Sequence, residues 1–63
     1  LVQRAEGEHR LTAIALDTAG RARGAVLINN GRDATPCRRL IAGGKVLDAA
    51  ALADAGTPLR SFL

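Results

Sequence analysis

A chain of 63 residues holds at most one small domain, and its single aromatic residue, Phe62, leaves the core to Leu, Ile, Val and many alanines. One cysteine makes no intrachain disulfide and no Cys/His cluster offers a structural metal, so the usual staples of a small fold are excluded. The net charge of +3 rests on arginine with Lys45 the only lysine, and no apolar run approaches the roughly 18 residues that cross a bilayer.

These bounds set further expectations. Little apolar area per residue makes the balance of burial against chain entropy come out near zero, so the piece should lean on other protein. The first residue is Leu1 and the chain has no methionine, which fits a single partial domain over 1–63, cut from something larger. A lone thiol fits a reducing compartment. With neither a bilayer-length run nor a charged-then-apolar leader, the expected location is cytoplasmic.

In chain order, Leu1–Arg4 reads as the tail of a strand and Glu6-Gly7-Glu8 as a polar turn. His9–Leu16 places Thr12, Ile14 and Leu16 on one face and Leu11, Ala13 and Ala15 on the other. Both faces carry apolar groups, which predicts an inner strand or one covered on both sides. Asp17-Thr18-Ala19-Gly20-Arg21 supplies hairpin turn chemistry, and Ala22–Asn29 should return antiparallel. Asn29, Asn30 and Gly31 tolerate left-handed backbone and end that strand.

Thr35-Pro36 then predicts a helix start, Thr35 as N-cap and Pro36 as first helical residue, with Asp33 as a rival cap. Cys37, Leu40, Ile41 and Gly44 recur at helical spacing as one buried stripe, leaving Arg38 and Arg39 outside it. Gly43-Gly44 closes the helix. Asp48 should cap a short alanine-rich turn, Ala49–Ala53, stopped by Gly56 and Pro58. Leu59–Leu63 should fold back as an apolar tag. The sum is an α+β two-layer piece: an antiparallel sheet of about three strands, one helix across it and a short C-terminal helical tail.

Residue chemistry offers no active centre. Cys37 lacks a CxxC partner and falls on the apolar stripe, so it reads as a small core residue. His9 has no companion for ligation or base catalysis and reads as exposed surface. Asp17, Asp33, Asp48 and Asp54 stand at turns or caps. Gly20 and Gly24 are spaced wrongly for a dinucleotide fingerprint, and Gly43-Gly44-Lys45 follows a helix instead of opening one. No catalytic, cofactor-binding or metal-binding residue is assigned.

Three runs carry a resemblance: Gly24-Ala25-Val26-Leu27-Ile28-Asn29 with Gly31-Arg32-Asp33; Arg38-Arg39-Leu40-Ile41-Ala42-Gly43-Gly44-Lys45; and Leu47-Asp48-Ala49-Ala50-Ala51-Leu52-Ala53-Asp54 with Thr57-Pro58-Leu59-Arg60-Ser61-Phe62. In order and spacing they resemble the C-terminal domain of FAD-dependent NAD(P)H reductases of ferredoxins, putidaredoxin and rubredoxin. The likeness covers most of the chain from about Leu11 and lacks that domain's Trp-containing opening segment. It implies a structural and docking role, with FAD and NAD(P)H bound by upstream domains of the parent enzyme and electrons passed to an iron–sulfur protein. The implied partners are the flavin-binding body, an acidic ferredoxin or rubredoxin, and a second subunit.

Acidic partners give the basic residues meaning: Arg21, Arg23, Arg32, Arg38 and Arg39 are the candidate docking residues, steering by long-range attraction. A solvated helix face with a charged hairpin tip is the competing account of the same residues. The alternative function is a free-standing basic interaction module for an acidic protein or nucleic acid. Nucleic acid is the weaker choice, since Phe62 alone supplies no stacking platform.

Overall fold

A computed structural model describes residues 1–63 as an antiparallel sheet in the order β1 (Val2–Glu6), β2 (Arg10–Leu16), β3 (Ala22–Ile28), followed by helices α1 (Ala34–Gly43) and α2 (Ala49–Leu52). The predicted α+β class, the inner position of β2 and the strand–helix order are all present. The opening strand runs longer than expected, to Glu6, and the turn shifts to Gly7–His9, where Gly7 takes the left-handed backbone at φ 73°. Asn29, at φ 51°, ends β3 as its residue type suggested.

Register decides which residues meet the helix. Val2 lies opposite Ile14, Arg4 opposite Thr12, and Thr12 opposite Leu27, so these side chains share one face. That face carries the core: Ile14, Ala22, Cys37, Leu40, Leu47, Leu52 and Leu59 are buried together, with Val2, Leu16, Leu27, Ile41 and Phe62 packed around them. Plain alternation from Leu27 and Ala25 would send Arg23 inward and Ala22 outward. Instead Gly24 pairs with Ala15 and Ala22 with Leu16, and the extra residue, Arg23, makes a bulge that returns Ala22 to the core.

The hairpin tip is held by the chain beyond α1. Gly20, at φ 91°, brings its backbone against Leu47, whose N–H donates to the Gly20 carbonyl at 2.8 Å, and Arg21 bridges Val46. A Cβ on Gly20 would sit 3.1 Å from the Leu47 carbonyl oxygen, so the close approach needs glycine there.

The start of α1 differs from the expectation. A 3-10 turn, Gly31–Asp33, runs directly into Ala34, so Thr35 lies inside the helix and Pro36 is its third residue. Pro36 still costs no hydrogen bond, because the first-turn N–H groups have no intrahelical acceptor. Neither Thr35 nor Asp33 caps: Asp33 stands at the N-cap position without a side-chain cap bond, its carboxylate accepting from Thr12 and Asn30 instead.

The other end matches. Gly44 adopts the left-handed conformation at φ 64° and its N–H donates to Leu40. Asp48 caps α2 by accepting from the Ala50 and Ala51 N–H groups. Pro58 leads into a 3-10 turn, Leu59–Phe62, which buries Leu59 in the core, so the tail folds back as anticipated. No helix is long and apolar enough to cross a membrane.

The opposite face of the sheet carries Gln3, Ala5, Leu11, Ala13, Ala15, Gly24, Val26 and Ile28, and no helix of this chain covers it. Val26 is 59% exposed and Ile28 50%.

Candidate functional site

The five arginines singled out in the sequence have three different fates. Arg21 is half-buried, and its Nε donates at 2.9 Å to the Gly44 carbonyl at the end of α1. It thereby places a cation at the negative pole of a helix that has no basic residue in its own last turn. Arg23 pairs with Asp17 at 3.0 Å, and Arg32 pairs with Glu6. Arg38 and Arg39 are exposed on α1 and belong to neither ion pair of the chain.

Arg21 sits at the C-terminal end of α1 and Arg32 just ahead of its N-terminus, about 15 Å apart along a ten-residue helix. The arginines therefore form two separated ends plus a middle pair, and not one patch. The pair Arg38 and Arg39 makes no ion pair within the chain.

The acidic residues act locally. The Arg21 backbone N–H, with the Arg23 guanidinium adding to it, holds the Asp17 carboxyl below its ordinary range. The same carboxylate also accepts from the Ala19 N–H, so it organises the hairpin turn. Arg32 does the same to Glu6, its hydrogen bond holding that carboxyl down. Burial pushes the Cys37 thiol up, and the nearby Asp33 carboxylate pushes the same way, so the thiol stays neutral and inert in the core. His9 is exposed, and only its backbone carbonyl is engaged, by the Asn29 side-chain amide.

Two polar features escaped the sequence reading. Thr12 is fully buried; its hydroxyl donates to Asp33 at 2.8 Å and accepts from the Asn30 amide at 2.7 Å. That cluster ties the middle strand to the turn that launches α1. The second is Arg4, only 2% exposed, whose Nη atoms donate to the carbonyls of Leu52 and Thr57. It staples the C-terminal segment to β1 across 48 and 53 residues of chain. Alternation along Val2-Arg4-Glu6 was the available signal, because it sets Arg4 on the same side as a core valine.

No dinucleotide site is assembled from these residues. Gly20 and Gly24 flank a hairpin, and Gly43-Gly44 stands at the negative pole of α1, the wrong end of a helix for phosphate.

The comparisons with known proteins give the chain its family. A search of curated proteins finds no match. The family model described as reductase C-terminal matches residues 1–63, the whole of the sequence. A three-stranded antiparallel sheet with a helix on one face, the order of motifs from Gly24 to Phe62, and this match agree: the chain belongs to the reductase C-terminal family.

Proposed function

We propose that this chain is the C-terminal structural and docking portion of an FAD-dependent NAD(P)H reductase that passes electrons to an acidic iron–sulfur protein of the ferredoxin or rubredoxin type. The family match over residues 1–63 carries the reading. Two properties of the surface support it. The bare apolar face around Val26 and Ile28 suits a chain that packs against a larger body, here the flavin-binding body of the same protein. Unpaired Arg38 and Arg39 suit an acidic partner, adding attraction at encounter without being spent on internal ion pairs. A second subunit is a further candidate for contact with this domain.

In this reading the chain holds no cofactor, and FAD and NAD(P)H belong to the domains before it. The reaction is the parent enzyme's: a hydride arrives from the nicotinamide and electrons leave singly for the iron–sulfur partner. This domain's share is to cover and to dock.

The test is the parent protein. It should be yellow, carry glycine-rich dinucleotide fingerprints upstream of Leu1, and oxidise NAD(P)H with an artificial acceptor. A colourless protein without that activity would overturn the proposal in favour of an independent basic module. For the docking residues, Arg38→Glu with Arg39→Glu should weaken association with an acidic ferredoxin by about three- to tenfold at low salt and flatten its salt dependence. Unchanged affinity and slope would return both arginines to ordinary surface.

A further inference from the structure

The only buried charged residue of the chain is Arg4, and no carboxylate bonds it. Its two hydrogen bonds go to the neutral carbonyls of Leu52 and Thr57, while its Nε is buried without a partner in the chain. A buried guanidinium ordinarily sits against an anion, because neutral acceptors leave the charge itself uncompensated. Arg4 also lines an open cleft of about 280 Å³ together with Arg32, Arg60, Glu6, Pro36 and Gly56. Glu6, the one acid in that lining, is bonded to Arg32, so Arg4 and Arg60 are left there without a carboxylate.

We propose that this cleft, between β1, the first turn of α1 and residues 55–60, binds an oxyanion, that is, a phosphate or carboxylate group. Arg4 supplies the fixed, desolvated charge, its fork already oriented by two carbonyls. Arg60, in neither ion pair, closes on the anion from the exposed rim, beside the Arg32–Glu6 pair. Pro36 brings the positive pole of α1 to the same wall. The two sources of such a group are a free small anion and an acidic side chain of a partner protein. The inference stands apart from the reductase reading, since Arg38 and Arg39 lie outside this cleft.

The test uses the full chain with isotope-labelled arginine, titrated with inorganic phosphate against chloride at fixed ionic strength. Phosphate should shift the Arg4 Nε–H resonance saturably, and Arg60→Gln should weaken the binding by about three- to tenfold. Arg38→Gln, an equal loss of charge elsewhere, should leave it within experimental error. A glutamate-rich peptide that shifts the same resonance and competes with phosphate identifies the partner's side chain as the source; a response to phosphate alone identifies a free anion. A drift that never saturates, or equal weakening by Arg38→Gln, is general screening and overturns the site. Should Arg60→Gln lose its fold, the titration of the unaltered chain decides by the same criterion.

Discussion

The two faces of the sheet are built from the same three strands and finished differently. On one, Ile14, Leu16 and Ala22 meet Leu40, Leu47, Leu52 and Leu59, and the bulge at Arg23 exists to keep Ala22 inside. On the other, Val26 and Ile28 stay half in water beside Leu11 and Ala15. Each face carries apolar residues along β2, so hydrophobicity alone does not decide which face becomes the core. What distinguishes them is the cover that the chain itself supplies after β3.

The largest expected break of this comparison is a cavity on the finished face. Leu52→Ala removes a fully buried side chain and should cost about 3 kcal/mol, whereas Val26→Ala should cost well under about 1 kcal/mol in the same chain. Paired urea titrations read both values, and equal losses would erase the distinction between the faces. Arg4→Met comes next. It strands the Leu52 and Thr57 carbonyls and should destabilise by about 2–3 kcal/mol, with Arg4→Lys failing to restore the lost stability because a single ammonium cannot match the fork. A stability unchanged by Arg4→Met would remove the staple from this account.

A smaller effect is expected at the join between sheet and helix. Thr12→Val keeps the shape and removes the hydroxyl between Asp33 and Asn30, at a cost of about 1–2 kcal/mol in the same titrations. No loss would mean that the two remaining groups satisfy each other, as their own 3.0 Å contact would permit.

How far the sequence carried depends on how local each determinant is. Asp48 and Gly44 act on atoms within four residues, so residue type and spacing placed both caps correctly. Asp33 looked like a cap for the same reason, yet its carboxylate is drawn to Thr12, 21 residues away, and the helix starts from a 3-10 turn without a side-chain cap. Alternation set Arg4 on the core side of β1, but its partners Leu52 and Thr57 lie 48 and 53 residues away and cations are ordinarily solvated, so its burial was not read from that signal. Five arginines were evident in the sequence, but that Arg21, Arg23 and Arg32 are engaged inside the chain depends on where Gly44, Asp17 and Glu6 come to lie.

The smallest effect is a pH dependence of the finished face. Because the Cys37 thiol is raised in the folded chain, the folded state keeps its proton where the unfolded state, near pH 9, has begun to lose it. Its contribution to stability is thus whole below about pH 9 and falls as pH rises beyond. Cys37→Ala should flatten the decline of the melting temperature in that window, and an identical decline in the variant would assign it to other groups.

The proposed role requires that the open sheet face, where Val26 and Ile28 are exposed, be covered in the parent protein. The most direct measurement of that cover is the thiol-labelling rate of Val26→Cys, in a Cys37→Ala background, in the isolated chain and in the parent enzyme. The account predicts rapid labelling in the isolated chain and at least about tenfold slower labelling in the assembled enzyme; equal rates would contradict it.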